Sequence, residues 1–548
     1  MDIKKLIHTI KYLKFVQVYY RLHYILLKPK VQKKEFSLNL REVKKKWNNF
    51  IEKPISMIGE KEFYFLNKKG KLSSILDWNA KEQDKLWLYN LHYFDDLNAK
   101  GALERQVWHY NLIDQWIEQN PYALGNAWEP YPTSLRIVNW VKWALSGNKL
   151  NTIQLQSLAL QAANLYKNIE WHILANHLFA NAKALIFAGL FFDSDESNTW
   201  LQKGLRIYQK EIQEQVLADG GNFELTPMYH SIFLEDLLDI YQLQSIYSVN
   251  ETLDTIYLSS IIKKMLVWLS HMCHPDGDIS FFNDSTLGIA PTFKSLKSYA
   301  ISLNILYDSE IVEACDAYLK DSGYISICGD DYKMIVDVAK VGPDYQPGHA
   351  HADTLSFELS IGKERLFVNS GISQYGLDKE RNRQRSTSAH NTVIINNIDS
   401  SEVWAGFRVA RRAYPKLEKL EFNDNDKIIN FKASHNGYRN LGLNVYHQRS
   451  FEFKDQQLTI SDFIIGSYVT AEARFHLHPS VKVISIDDHS LQFELDKYKC
   501  EIRFSKGSVL NFVKTTWQPE FGKIIENQCI SVNILNGTLV TTISWSCK

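Results

Sequence analysis

Leu355-Ser356-Phe357-Glu358-Leu359-Ser360-Ile361 alternates apolar and polar side chains, the period of a strand that turns one face to a core. Met334, Val336 and Val338 alternate before it, and Phe475 and Leu477 alternate with His476 and His478 after it. Turn-forming runs separate such segments, as in Asn423-Asp424-Asn425-Asp426 and Lys506-Gly507-Ser508, and predict antiparallel strands to the end of the chain. Upstream the period is different. From about residue 85 to 315 apolar residues recur every three to four positions, as in Trp108, Leu112, Trp116 and again in Leu234, Leu237, Leu238, Tyr241, which is a helical pattern. Pro121, Gly125, Gly189 and Pro227 are read as punctuation between these helices. The change near residue 320 predicts a multidomain α+β chain. Residues 81–318 are expected to form an (α/α) toroid or solenoid, although no strict repeat marks it. Residues 319–548 are expected to form an antiparallel β-sandwich, with a cleft where the two meet. Residues 35–80 look mixed, with a hairpin around Phe63-Tyr64-Phe65 and Lys69-Gly70-Lys71.

The 548 residues exceed one ordinary domain. Hydrophobic residues make up 45% and charged residues 23%, the balance of a globular protein. Formal net charge is zero, which argues against a nucleic-acid binder held by bulk phosphate attraction. The six cysteines (Cys273, Cys315, Cys328, Cys500, Cys529, Cys547) are scattered, with no CxxC pair, so free thiols in a reducing compartment are expected. Lys11, Lys14 and Arg21 interrupt the first apolar stretches, so no signal peptide or membrane span is read, and cytoplasmic residence is the expectation.

Residues 1–34 carry nine Lys or Arg against one acid, Asp2. Leu6, Ile10, Leu13, Val16, Tyr20, Tyr24 and Leu27 repeat at helical spacing. A basic amphipathic helix can lie on an anionic membrane surface. The preferred reading is a helix docked on the protein's own body with a solvated basic face. Peripheral contact with the inner membrane is the alternative.

Four segments bear chemistry. In Asn176-His177 an amide and an imidazole could both bind a carboxylate; the ordinary alternative is an Asn that bridges helices. After the Asp219-Gly220-Gly221 loop, Pro227 opens a helix and puts Tyr229 and His230 in its first turn. The helix dipole there would favour a phenolate, and Tyr229 could serve as acid or base, unless it is simply a packed aromatic. In Gly348-His349-Ala350-His351-Ala352-Asp353, an extended chain would put His349, His351 and Asp353 on one face. Two histidines so placed could ligate a metal or divide catalysis and metal binding, with His390 as a third ligand. Arg383 and Arg385 precede Ser388-Ala389-His390-Asn391, and a guanidinium at Arg385 could pair with an acidic sugar. Arg408, Arg411 and Arg412 near Trp404 form a second basic cluster. Trp128, Arg136, His230 and Trp404 join Arg385 as candidate substrate-binding residues.

Taken together, Trp87-Leu88-Tyr89-Asn90-Leu91-His92-Tyr93-Phe94, Asn176-His177, Pro227-Met228-Tyr229-His230, Gly348–Asp353 and His390-Asn391 resemble, in kind and order, the motifs of the heparinase II/III family. The likeness covers about residues 85 to 480. It implies an (α/α) toroid joined to a β-sandwich and a polysaccharide lyase acting by β-elimination on an acidic polysaccharide or oligosaccharide. It implies that Asn176 and His177 contact the uronate carboxylate and that Tyr229 and His349 are catalytic. It also implies that His351 and His390 bind one structural zinc. The third ligand in such relatives is an Asp on the following strand, where this chain has Asn369, a weak zinc ligand. Ala180 stands where some relatives carry Glu. The rival readings are a non-catalytic glycan-binding protein that assists surface-polysaccharide biosynthesis and, more remotely, a glycoside hydrolase using Glu224 and Asp353.

Overall fold

The structure, a computed structural model, describes residues 3–27, 30–31, 35–247, 254–307, 310, 316–506 and 508–548. Lys28, Lys33, Lys34 and Cys315 lie outside the described residues.

Two helices open the chain, α1 (Ile3–Ile10) and α2 (Phe15–Leu26). The single helix expected over this stretch is therefore broken at residues 11–14. A three-stranded sheet follows (Met57–Gly59, Glu62–Phe65, Lys68–Lys71), and its second turn, Leu66-Asn67, has both residues at positive φ. Phe36, Trp47, Met57, Phe63, Leu72 and Trp78 belong to the core of the helical region, so residues 36–78 are built into that region.

The helical region proper contains α3 (Lys85–Tyr93), α4 (Gln106–Gln119), α5 (Pro130–Leu145), α6 (Thr152–Lys167), α7 (Ala175–Phe191), α8 (Asp195–Gln215), α9 (Pro227–Tyr247), α10 (Thr255–Met272) and α11 (Phe293–Ser302). Their ends follow from sequence. Proline opens α5 and α9, where a missing N–H costs nothing. Asn151 and Ser194 cap α6 and α8 with reciprocal hydrogen bonds. The helices α3, α5, α7 and α9 pack successively side by side, and α4, α6 and α8 form a second row behind them. Gly189 is not a break. It lies inside α7, where a Cβ would come within 2.7 Å of the Leu201 backbone nitrogen on α8, so its lack of a side chain lets the two helices close.

The second region is built of antiparallel strands in sheets of eight, five and four strands, with a two-stranded ribbon beside them. In the five-stranded sheet Phe357 pairs with Val336 and Leu359 with Met334. The strand Phe357–Ile361 is buried on both faces. The alternation that identified it marks a strand but not a solvated face, because the segment after α10 covers its polar side. There Glu358 accepts from the N–H groups of Phe281 and Asn369 and lies 2.9 Å from Nε2 of His274. Trp268, Met272 and Phe282 pack with Tyr324 and Ile335 in a small core joining the regions. The five described cysteines are free thiols. No helix among the described residues is long and apolar enough to cross a membrane.

Candidate active site

A cleft of about 760 Å³ lies where the two regions meet. One wall holds the first turns of α7 and α9, and the other holds the loop carrying His349. Both helix starts require unusual backbone. Leu174 before α7 and Ala175 at its first position, and Leu225 before α9, have φ of 69°, 52° and 59°, a conformation costing roughly 1–2 kcal/mol for a side chain with a Cβ. The result is that two helix N-termini, with their partial positive charge, point into one space.

Asn176 and His177 both line that space. The backbone N–H of Asn176 donates to Glu224 at 3.1 Å. Nδ1 of His177 is 3.0 Å from Glu170, and its ring lies 4.4 Å from that of Tyr131. Burial alone would lower the His177 pKa, but the Glu170 charge and hydrogen bond, helped by Glu224, raise it above the ordinary value. Glu170 thus favours the charged form of the His177 ring at the cleft.

Tyr229 is in the first turn of α9. Its hydroxyl is 2.9 Å from that of Tyr375, and its ring packs 4.0 Å from the His349 ring. Burial, then the neighbouring Tyr375, pushes its pKa well above the ordinary phenol value. This reverses the expectation of a phenolate: the cost of burying the anion exceeds what the helix dipole returns.

His349 and His351 do not share a strand face, because residues 349–353 form an irregular loop. They are gathered by Asp284. Its Oδ2 accepts from Nδ1 of His349 and its Oδ1 from Nε2 of His351, both at 2.8 Å. Arg381 donates to both oxygens of the same carboxylate. Burial would raise the Asp284 pKa, but Arg381 and the two histidines hold it far below the usual range. Nε2 of His349 is left facing the cleft, 3.5 Å from Oε2 of Glu224.

Nδ1 of His351 lies 3.3 Å from Nε2 of His390, and the Asp353 carboxylate completes a buried cluster with donor atoms within 4.8 Å of one another. Burial holds the His351 pKa down at about 4 and that of His390 well below its ordinary value. Two neutral imidazoles and a carboxylate suit zinc, and the bond from His351 to Asp284 is the outer-shell support such a ligand uses. Asn369 takes another role. Its side-chain oxygen accepts from the Asn391 N–H and its own N–H donates to Glu358.

Several expected substrate contacts are not at the cleft. Arg136 is wholly buried, bonded to Gln161 and to the carbonyls of His92 and Ala127. Trp128 packs on Trp116 and donates to the Asn120 carbonyl. His230 stacks on Trp268, between the Asn222 N–H and the Met265 carbonyl. Arg385 is buried and donates to the Ala350 carbonyl. Trp404 donates to Thr9 and packs under Arg408; Arg411 and Arg412 pair with Glu402 and Asp344. None of these side chains lines the cleft, and each bonds to its own neighbours instead. Asp353 does not line the cleft either, so Glu224 and Asp353 do not flank a sugar as paired carboxylates.

The residues missed from sequence are Glu170, Asp284, Tyr131, Tyr375 and Arg381. None sits in a run with a recognisable spacing. A further feature is the polar inner end of the cleft. There Lys53 meets Glu235 at 2.7 Å, Lys183 meets Asp236 at 2.6 Å, and Lys142 and Lys183 both bind Asp239.

The family description "Heparinase II/III N-terminus" matches residues 12–303, and "Heparinase II/III-like, C-terminal" matches residues 312–546. The chain belongs to the heparinase II/III family. It is 29% identical over 451 residues to a heparin-sulfate lyase of Bacteroides stercoris, covering 71% of this chain and 63% of that protein. It is 24% identical over 493 residues to a heparin-sulfate lyase of Pedobacter heparinus, covering 82% and 70%. The chain thus spans less than two thirds of the first relative's length. Its fold is that of the crystal structure titled heparinase III, with a TM-score of 0.69 at 18% identity over 97% of this chain and 91% of the other. A heparan sulfate lyase from Pedobacter heparinus superposes with a TM-score of 0.59 at 17% identity, over 97% and 88%. An α-rich first region and a β-sheet second region are common to this family member and heparinase III.

Proposed function

We propose that this chain is a polysaccharide lyase that cleaves a uronic-acid-containing glycan by β-elimination. The observation that carries the reading is the pair at the cleft wall. Tyr229 keeps its proton through burial, and 4.0 Å away His349 has its Nδ1 committed to Asp284. One group is left as an acid, the other as a base.

The reaction follows from their chemistry. The amide of Asn176, the cation at His177 and the N-termini of α7 and α9 neutralise the C5 carboxylate, which makes the C5 proton more acidic. Nε2 of His349 removes that proton. Electrons from the C5–H bond form the C4–C5 double bond, and the C4–O4 bond breaks. The Tyr229 hydroxyl gives its proton to O4. The products are a 4,5-unsaturated uronate and a new hydroxyl end. Asp284 stabilises the imidazolium formed at His349 without itself taking the proton. The paired lysines and carboxylates at the inner end offer donors and acceptors to sugar hydroxyls while adding little net charge. Zinc held by His351, Asp353 and His390 would supply structural rigidity, fixing His351 and with it Asp284. The names of the two relatives, both heparin-sulfate lyases, support an acidic glycosaminoglycan as substrate class.

The test is ultraviolet absorbance of the unsaturated uronate during incubation with a panel of uronic-acid polysaccharides, run beside Tyr229→Phe. Absorbance that rises only with the unmodified protein supports the reading. No rise on any member of the panel would reject it in favour of glycan binding without turnover.

A further inference from the structure

The helices α1 and α2 rest on the body through one face and turn a second apolar face outward. The inner face is keyed by specific bonds. Lys14 pairs with Glu214, and its ammonium lies 3.7 Å from the centre of the Tyr345 ring. Gln17 donates to the Tyr345 carbonyl, Tyr24 donates to the Ile169 carbonyl, and Tyr20 packs on Trp171. Arg412 lies against the Tyr12 ring. The outward face carries Ile3, Ile7 and Ile10 on α1 and Phe15, Leu22 and Ile25 on α2, at helical spacing. These are not grazing exposures: Phe15 is 83%, Ile25 71% and Ile3 68% exposed. Of the stripe read from sequence, Leu6, Leu13, Val16, Tyr20 and Tyr24 are half-buried on the inner face, whereas Ile10 and Leu27 are exposed. The outer stripe is what the docked body leaves uncovered, an apolar face beside the exposed basic residues.

Charge is divided in the same way. Lys4, Lys11, Arg21 and Lys30 are exposed around the outer stripe. Lys203 stands over Trp171, which touches α2. Arg408 acts on Arg21, whose pKa is lowered by burial and then by that like charge. Among the described residues, acids near these helices pair with basic groups or face the body: Glu214 with Lys14, Asp399 and Glu402 facing Lys5, Glu170 behind Tyr24, and the exposed Asp344 with Arg412 beside Tyr12. A shallow groove bounded by Arg21, Tyr24, Ile25 and His172 lies beside the stripe.

We propose that α1 and α2 form an interfacial anchor that lies on an anionic lipid surface, with Ile3, Ile7, Ile10, Phe15, Leu22 and Ile25 in the acyl boundary and the basic residues on the headgroups. An apolar face ringed by cations is what such a surface binds. The anchor is also connected to the site. Tyr24 holds the carbonyl of Ile169, and the next residue, Glu170, holds His177. The lipid-bound unit therefore sits on the loop that orients the carboxylate-binding histidine.

The experiment is flotation of the full chain with vesicles of phosphatidylcholine alone and of phosphatidylcholine with phosphatidylglycerol. The double variant Phe15→Asp/Leu22→Asp and the double variant Lys11→Glu/Arg21→Glu are run beside it. Circular dichroism checks folding, and sedimentation checks mass. The expected result is flotation with the anionic vesicles, weakened at high salt, and at least a tenfold loss in both variants with folding intact. Failure of the unmodified chain to float with anionic vesicles would overturn the proposal. So would flotation of the Phe15→Asp/Leu22→Asp variant at the level of the unmodified chain. A dimer in solution that this variant dissolves, without lipid binding by the unmodified chain, would assign the face to a second copy instead.

Discussion

Nδ1 of His349 lies 2.8 Å from Oδ2 of Asp284, a bond between residues 65 apart that fixes which ring nitrogen carries the proton. Asp284 came from no motif, yet it orients both histidines of the Gly348–Asp353 segment and is itself held by Arg381. Replacing Asp284 by Asn keeps the shape and loses the charge. The expected outcome is a fall in kcat of about 10²–10⁴-fold, the range for loss of a working acid–base partner. A stability loss of roughly 3–5 kcal/mol should accompany it, because Arg381 would remain buried without its counter-charge. Initial rates and thermal denaturation measure the two effects separately.

Tyr229→Phe removes one hydroxyl and its bond to Tyr375. Stability should fall by only about 1 kcal/mol, while turnover should fall by about 10²–10⁴-fold with KM little changed. Rates and a melting curve on the same preparation would show it. Activity near that of the unmodified chain would remove Tyr229 from the role of acid.

The His177 pKa is raised in the folded chain. Its charged form therefore stabilises the fold fully below the unfolded value near 6.5, and that contribution disappears as pH rises through the folded pKa. The carboxylate contact should fade over the same window, so KM should rise on its alkaline side. His177→Gln should flatten both profiles. Melting temperature and KM across pH would show whether the two move together.

Zinc should raise the melting temperature, and chelation should reverse the rise. For a ligand at a hundredfold excess over Kd the stabilisation is about 2.7 kcal/mol. His390→Ala should abolish the response, whereas Asn369→Ala should keep it. Metal content by elemental analysis gives an independent readout. Equal zinc responses in both variants would exclude the His351–Asp353–His390 cluster as the site.

Arg136 tests the reassignment of a residue expected at the substrate. Its donors serve Gln161 and two main-chain carbonyls, and its guanidinium lies 3.9 Å from the Trp116 ring. Arg136→Leu should cost on the order of 2–4 kcal/mol of stability and leave KM of the folded fraction unchanged. A selective rise in KM would return Arg136 to the binding surface.

The order of helices and strands was legible because hydrophobic period is a local property, and Leu355–Ile361 differs from Leu234–Tyr241 within a single turn of chain. Asn176, His177, Tyr229 and His349 were legible through motifs, and all four line the cleft. The polar residues chosen by type alone were not. Arg136, Arg385 and His230 resemble substrate ligands in composition, but each is spent on main-chain groups that burial would otherwise leave unpaired.

By itself, then, the sequence determined the two-part architecture, the family and four residues of the cleft, Asn176, His177, Tyr229 and His349. Only the tertiary structure decided what those residues can do. The Tyr229 proton, the His177 charge and the free nitrogen of His349 each depend on a partner distant in sequence: Tyr375, Glu170 and Asp284. Protonation is set by burial and by charges a few ångströms away, and neither is a property of the neighbouring sequence. The outward stripe of α1 and α2 is the same case. The residues were visible, but which of their two apolar faces the body would leave open was settled by packing.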